Sequence, residues 1–223
     1  MTIPSSCRYK WLLPGLAAVA AMSMVCCGGP PESPFKEGLS SGKYRVVVAF
    51  GDSIVEGYNL EEGWPDVLGK ELSSRYPTVR VFNAGRSGDT SADGLSRLER
   101  DVLNLEPDLV LVAFGLNDMR HRRPPEKFRK DLGSIIDRVK DKGAEVVLLT
   151  TTRLARGAGL VADGPDRYNE VIARMARDRG LFLIDVYGES SGLNTPRYML
   201  DVAHPNREGA IRLAGIVEEA LLR

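Results

Sequence analysis

The apolar run R-V-V-V-A-F at Arg45–Phe50, followed directly by G-D-S at Gly51–Ser53, decides the predicted fold. A compact β-branched run without polar alternation is typical of a strand buried on both faces of a parallel sheet. Four later runs share this character, and amphipathic segments separate them. The sequence therefore predicts an α/β fold with a five-stranded parallel sheet, its strands at Arg45–Phe50, Val79–Asn83, Asp108–Phe114, Glu145–Thr150 and Leu181–Val186.

The segments between these runs predict the covering helices. Apolar residues recur in them at helical intervals, and proline near a segment's start or glycine just past its end marks several boundaries. The predicted helices are Trp64–Tyr76, Ser91–Leu105, Pro125–Lys142, Pro165–Arg179 and Asn206–Leu222.

The composition fits one globular domain with a short appendage. The chain has 223 residues, of which 43% are hydrophobic, and this is enough to bury a core without disulfides or metals. Thirty basic and thirty acidic residues cancel, which argues against non-specific binding to nucleic acid or to an anionic membrane. We expect a small, fairly neutral substrate as the partner.

The N-terminus has the pattern of an export signal. Arg8 and Lys10 precede an apolar run, Trp11–Val25, that is shorter than the roughly 20 residues of a membrane span. The sequence therefore predicts an export signal at residues 1–27, a Gly/Pro/Ser-rich linker at 28–43 and the main domain at 44–223. All three cysteines lie in the signal, which excludes cysteine chemistry from residues 28–223.

The end of this signal bears on where the protein resides. Met24-Val25-Cys26-Cys27 resembles a loose bacterial lipoprotein leader, which implies that an acylated Cys27 tethers the protein to a membrane. Cleavage and secretion fit the same residues equally well. We expect an exported protein that is periplasmic, lipid-anchored or secreted.

Four loops carry polar residues after the predicted strands. They contain G-D-S at Gly51–Ser53, N-A-G at Asn83–Gly85, G-L-N-D at Gly115–Asp118 and D-V-A-H-P at Asp201–Pro205. Ligands of open parallel sheets bind at the carboxyl ends of the strands, so we expect these loops to meet at one edge. Ser53 is the candidate nucleophile there.

A serine hydroxyl needs a base with a near-neutral pKa, and the chain has two histidines. His121 lies in the positively charged segment Met119–Arg123, which disfavours its protonated form, and it is interpreted as a solvated loop residue. The run Arg120–Arg123 is interpreted as a solvated rim. His204 follows Asp201 by three residues, so the carboxylate can bond one ring nitrogen while the other faces a nucleophile. These two residues also fit a turn network before the last helix, but their place at the Ser53 edge favours catalysis.

Acyl transfer also needs donors for the developing oxyanion. Gly85 offers a backbone amide and Asn117 a side-chain amide at neighbouring strand ends. Taken singly, Gly85 fits a turn glycine and Asn117 a helix cap.

Several other residues are interpreted as structural. The segment Ser87–Ser91 is interpreted as a helix N-cap, and Trp64 as a packing anchor before Pro65. Asp52 and Asp118 are interpreted as residues that order their turns. The chain has no H-E-x-x-H, no paired cysteines after residue 27 and no phosphate loop. The sequence therefore predicts neither a metal nor a cofactor.

Together these blocks resemble the GDSL, or SGNH, hydrolase family, which is defined by a Ser, a Gly, an Asn and a His in separate blocks. G-D-S-I with Ser53, N-A-G-R-S-G-D-T-S with Gly85, G-L-N-D with Asn117 and D-V-A-H-P-N with His204 match in order, and the similarity covers residues 44–223. The later blocks are most similar to the branch of periplasmic thioesterase/lysophospholipases and arylesterases. Ile54 replaces the leucine that names the motif.

The resemblance implies a flavodoxin-like three-layer sandwich and a serine hydrolase of small acyl esters or thioesters. In that interpretation Ser53 attacks the acyl carbon, His204 moves the proton and Asp201 orients His204. The Ser53 amide, the Gly85 amide and the Asn117 side chain hold the oxyanion. Residues Arg153–Gly164 lie where acyl contacts are expected and match no family motif.

Two other functions stay open on sequence alone. One is a carbohydrate acetylesterase, because the family includes deacetylases of polysaccharides. The other is a non-catalytic envelope-binding protein, because a fold does not guarantee activity. Loss of Ser53 or His204 would mark the second alternative, and both residues are present.

Overall fold

The computed structural model describes residues 33–155 and 164–223. They form a five-stranded sheet in which every pair is parallel and the order is β2-β1-β3-β4-β5. This is the flavodoxin-like order of a doubly wound sheet, so the predicted α/β fold is confirmed. The strands are β1 (Val46–Gly51), β2 (Arg80–Gly85), β3 (Leu109–Ala113), β4 (Glu145–Leu149) and β5 (Phe182–Ile184).

The helices of the described ranges cover both faces of this sheet. Each of the five predicted helices is present, with ends that differ by a few residues. Helices of four or five residues were not predicted, because they are too short for an apolar period. The helices are α1 (Phe35–Ser41), α2 (Ser53–Glu56), α3 (Trp64–Arg75), α4 (Ser91–Asp101), α5 (Leu116–Arg120), α6 (Pro125–Asp141), α7 (Asp166–Arg179), α8 (Val186–Glu189) and α9 (Arg207–Leu222).

Alternation along the strands divides the core into two layers. In β1, Val48 and Phe50 pack under α4, α6 and α7, whereas Val47 and Ala49 pack under α1, α3 and α9. The three-layer sandwich follows from this alternation. The edge strand β2 departs from the prediction of burial on both faces. Arg80 and Phe82, which share one face of this strand, are exposed.

The last strand is shorter than predicted. The run Leu181–Val186 becomes a strand only over Phe182–Ile184, because the Asp185 carboxylate accepts a hydrogen bond from the Gly188 amide (3.1 Å) and caps α8. Val186 therefore belongs to a helix.

The predicted linker at residues 28–43 is wrong for its second half. Residues Phe35–Ser41 form α1, and the Phe35 and Leu39 side chains are buried in the layer that α9 covers. The Ser33 hydroxyl donates to the Leu221 carbonyl (2.7 Å), which joins the start of this segment to the end of the chain. Two apolar side chains one turn apart give this helix a buried face, so it packs as part of the domain.

The remaining parts of the predicted N-terminal organisation, the export signal and the first residues of the linker, lie outside the described residues. Among the residues that are described, no helix is long and apolar enough to cross a membrane.

Candidate active site

The carboxyl ends of three strands lie side by side at the candidate site. Gly51, the last residue of β1, pairs with Gly85 of β2 on one side and with Ala113 of β3 on the other. The loops that follow these strands therefore begin at the same level of the sheet, as the sequence predicts.

Ser53 is the first residue of α2, directly after β1. The preceding Asp52 is the N-cap of this helix, and its carboxylate accepts a hydrogen bond from the Ile54 amide (3.0 Å). The helix ends at Gly57, whose φ of 84° is left-handed. This sharp strand-to-helix turn presents the Ser53 hydroxyl at the edge of the sheet.

His204 links Ser53 to Asp201. Its Nε2 lies 2.9 Å from the Ser53 Oγ, and its Nδ1 lies 2.8 Å from Asp201 Oδ2. Asp201 Oδ1 also accepts hydrogen bonds from the Ala203 and His204 amides, both at 2.8 Å. The structure thus brings the three predicted catalytic residues into one hydrogen-bonded chain.

The charge state of Asp201 suits this arrangement. Burial acts to raise the pKa of its carboxyl, but hydrogen bonds from the Ala203 amide and from His204 outweigh it and hold the pKa below the ordinary value. Asp201 is therefore ionised at neutral pH and favours the tautomer of His204 that carries its proton on Nδ1. That tautomer leaves Nε2 free to accept the Ser53 proton.

Asn117 lies in α5, directly after β3, and its side chain is buried. Its Nδ2 donates a hydrogen bond to the Asp89 carbonyl (3.0 Å) in the loop after β2. A side-chain amide has two N–H groups, so this contact fixes the orientation of Asn117 and leaves one N–H for another acceptor.

Gly85 has a different environment from the one predicted. Its amide donates to the Asn83 side-chain oxygen (3.0 Å), and a Cβ at this position would collide with the backbone of Glu56 in α2. Close packing of β2 against α2 is therefore sufficient to require a glycine here.

Gly88 lies in the same loop and was not singled out from the sequence. It has a φ of 84°, and no atom lies within 4 Å of the place that a Cβ would take. It immediately precedes Asp89, the residue whose carbonyl Asn117 contacts. The signal that could have found it is a second glycine in the block N-A-G-R-S-G-D-T-S.

Comparison with known proteins assigns the family. The model of the GDSL-like lipase/acylhydrolase family matches residues 49–210, a range that contains Ser53, Asn117 and His204. The chain belongs to the GDSL-like lipase/acylhydrolase family. The predicted resemblance is therefore confirmed.

Individual relatives of this GDSL chain include two enzymes from bacteria. An arylesterase of Vibrio mimicus is 30% identical over 180 residues, 79% of this chain and 88% of the arylesterase. The thioesterase 1/protease 1/lysophospholipase L1 of Escherichia coli (strain K12) is 31% identical over 170 residues, 73% of this chain and 76% of that protein. Among solved structures, an acetyl xylan esterase superposes with a TM-score of 0.69 at 25% identity, covering 79% of this chain and 99% of the other.

A buried arginine of this GDSL chain connects the loops of the site by hydrogen bonds. The sequence did not predict this role. Arg97 of α4 donates to the carbonyls of Gly51 and Ala84, each at 2.9 Å, and to the Asp89 carboxylate at 2.5 Å. It thereby joins the ends of β1 and β2 to the loop that Asn117 contacts. The signal was a charged residue on the apolar face of α4, one position before the buried Leu98.

A second ion pair orders the loop after β3. Asp118 is fully buried and accepts hydrogen bonds from the Ser91 amide (2.9 Å) and from Arg123 (2.5 Å). Its interpretation as a turn-ordering residue agrees with these contacts. The interpretation of Arg120–Arg123 as a solvated rim is wrong for Arg123, because a buried carboxylate needs a charged partner. His121 is exposed, as expected.

The structure confirms two other interpretations of single residues. Thr90 is the N-cap of α4 in a capping box with Asp93, and Trp64 is buried at the start of α3. Of the segment predicted to contact acyl groups, residues 156–163 lie outside the described residues. Among those that are described, no group of three or more His, Cys, Asp or Glu residues is arranged to hold a metal ion.

Proposed function

We propose that this protein hydrolyses carboxylic ester or thioester bonds of small acyl substrates through an acyl-enzyme on Ser53. The observation that carries the proposal is the continuous chain from Asp201 through His204 to the Ser53 Oγ. Serine nucleophiles are recognised by this geometry, in which a base contacts the hydroxyl and a third group orients the base. Membership of an acylhydrolase family supports the same reaction.

The proposed reaction has two acyl transfers. Ser53 Oγ attacks the acyl carbon while its proton passes to His204 Nε2, and Asp201 stabilises the resulting imidazolium. The tetrahedral intermediate collapses, and the leaving alcohol or thiol takes the proton from His204. A water molecule then attacks the acyl-enzyme with His204 again as base, which releases the carboxylic acid and restores the Ser53 hydroxyl.

The proposed oxyanion donors are the Ser53 amide, the Asn117 side chain and the amide of a glycine, either Gly85 at the end of β2 or Gly88 in the loop that follows. Ser53 is the first residue of α2, where helix amides lack intrahelical acceptors. The Gly85 amide would have to leave the Asn83 side chain to reach a substrate oxygen. Gly88 has a left-handed backbone and directly precedes Asp89, whose carbonyl accepts a hydrogen bond from Asn117. We therefore propose the Gly88 amide as the alternative to the Gly85 amide.

The substrate class rests on the relatives. Similarity to an arylesterase and to a thioesterase/lysophospholipase supports ester and thioester substrates. Similarity to an acetyl xylan esterase supports a second candidate, the deacetylation of a carbohydrate. Both candidates use the same Ser53, Asp201 and His204, and they differ only in the acyl group and the alcohol.

The proposed place of action is outside the cytoplasm. The basic residues, apolar run and small residues within positions 1–31 support export, and Cys27 supports attachment through a lipid. Mass spectrometry of the mature N-terminus, isolated from a bacterial host, separates an acylated Cys27 from a cleaved and secreted form.

Kinetics on a substrate panel test the activity. Wild type is expected to hydrolyse at least one of nitrophenyl acetate, nitrophenyl octanoate, an acyl-CoA, a lysophospholipid and acetylated xylan. Ser53→Ala should lower kcat on that substrate by at least about 10⁴-fold. Ser96→Ala, which removes an exposed hydroxyl from α4, is the matched control and should keep the wild-type rate. A wild-type rate for Ser53→Ala, or no turnover of the whole panel, would refute the proposal.

A further inference from the structure

Tyr58 covers one face of the His204 ring. The two ring centroids lie 4.2 Å apart with an interplanar angle of 29°, which is a stacked arrangement. Tyr58 itself is 37% exposed, whereas only 15% of the His204 side chain is exposed. The sequence interpretation did not single out Tyr58, because a tyrosine in a turn carries no catalytic signature.

The backbone of Tyr58 is attached to the nucleophile. Its amide donates to the Ser53 carbonyl (3.1 Å), as does the amide of Gly57. Gly57 has a φ of 84°, and a Cβ on it would lie 2.5 Å from the Gly63 Cα, so the turn requires a glycine. One short turn therefore fixes the position of the Tyr58 ring relative to Ser53.

The stacking supplies a restraint that the hydrogen bonds of His204 lack. Hydrogen bonds to imidazole nitrogens are directed along the ring plane. His204 makes one at each nitrogen, from Nδ1 to Asp201 and between Nε2 and Ser53. They restrain the ring in that plane but leave it free to tilt about the line joining the two nitrogens. A flat group against the ring face removes that tilt.

We propose that Tyr58 is a positioning residue, which holds the His204 ring at the angle needed to take the Ser53 proton. This inference rests on the proposed function. The face of an aromatic ring also attracts a cation, so Tyr58 favours the imidazolium that forms during acyl transfer. The contact is then stronger in the transition state than in the ground state, and its loss affects kcat more than KM.

Three variants test this inference in the full protein. Tyr58→Leu removes the aromatic face, Tyr58→Phe keeps the ring and removes the hydroxyl, and Phe82→Leu removes an equally exposed ring from the edge strand β2. Two quantities are measured: kcat and KM on nitrophenyl acetate, and the rate at which diisopropyl fluorophosphate labels Ser53. The labelling rate reports activation of the serine without acyl-group binding.

For Tyr58→Leu we expect kcat and the labelling rate to fall together by about 5- to 10-fold, the scale of an aromatic contact, with KM nearly unchanged. Tyr58→Phe and Phe82→Leu should stay within about 3-fold of wild type. Wild-type kcat and labelling in Tyr58→Leu would overturn the inference, as would a Tyr58→Phe as impaired as Tyr58→Leu. A wild type that neither turns over ester nor labels at Ser53 would instead refute the proposed function.

Discussion

At the scale of single residues, the site depends on a few side chains whose contacts are already made. Ser53 and His204, 151 positions apart, lie within hydrogen-bond distance. The Asn117 side chain donates one N–H to the Asp89 carbonyl, and its second N–H can donate to a substrate oxygen. A donor oriented before the substrate arrives stabilises a developing charge without a reorganisation cost, which is the main electrostatic contribution to catalysis.

Asn117→Ala removes this side-chain donor. We expect kcat on a nitrophenyl ester to fall by about 10²- to 10³-fold, with a smaller change in KM, because the donor acts mainly in the transition state. Steady-state kinetics measure the change, and thermal unfolding checks that the variant is folded. Asn104→Ala, which truncates an exposed amide after α4, is the control. A kcat within a few-fold of wild type would remove Asn117 from the oxyanion site.

At the scale of elements, the four-residue helix α2 depends on its surroundings for its position. Asp52 caps its start, Gly57 ends it, and Gly85 of β2 packs directly against it. Burial raises the pKa of Asp52 to about 7, and the nearby charges of Asp118 and Asp89 act in the same direction, against the hydrogen bond from Ile54. The cap that positions the nucleophile is therefore a titratable group.

This pKa makes the free energy of unfolding depend on pH. The folded-state pKa of Asp52 lies above the ordinary value of 3.8, so the unfolded chain loses this proton first as the pH rises. This contribution to stability therefore falls as the pH rises from about 4 through about 7, and it is lost by about pH 8. Asp52→Asn removes the dependence and keeps an N-cap acceptor.

Urea unfolding of wild type and Asp52→Asn at pH 5 and pH 8 measures this effect. We expect wild type to lose about 3 kcal/mol relative to the variant between the two pH values. Both proteins contain the other titratable groups, so the contribution of those groups to the pH dependence cancels when wild type is compared with Asp52→Asn. An equal pH dependence in the two proteins would show that Asp52 does not titrate in this range.

At the scale of the whole molecule, the domain begins before Tyr44. Helix α1 closes the layer formed by α3 and α9, and its Phe35 ring contacts Tyr44 and Phe182 at centroid distances of 5.5 and 5.3 Å. Phe35 is only 2% exposed. The chain therefore uses residues near its start to cover the outer end of the sheet, beside β5.

Phe35→Ala tests whether this segment belongs to the domain. We expect a loss of about 3 kcal/mol in the free energy of unfolding, the usual cost of truncating a buried aromatic ring. Urea denaturation measures it, and Phe82→Ala, which truncates the exposed ring on β2, should cost much less. Equal stability of Phe35→Ala and wild type would restore the interpretation of residues 28–43 as a linker.

The order of elements and the identity of the three candidate catalytic residues were predictable from the sequence. Buried strands and amphipathic helices differ in the period of their apolar residues, and that period is a local property of the chain. Parallel strands end along one edge, so the loops containing Ser53, Asn117 and His204 were expected to meet there. The end of β5 was predicted too late in the chain, because one side chain, Asp185, caps a helix there.

Contacts between segments far apart in the chain were decided only by the tertiary structure. The packing of Gly85 against the Glu56 backbone, the hydrogen bonds of Arg97 to two strand ends, and the stacking of Tyr58 on His204 leave no periodic trace in the sequence. The same is true of α1, whose seven residues become a helix of the core only because α9 and β5 offer an apolar surface. Sequence patterns report which face of an element is apolar, whereas the packed fold decides which partner that face meets.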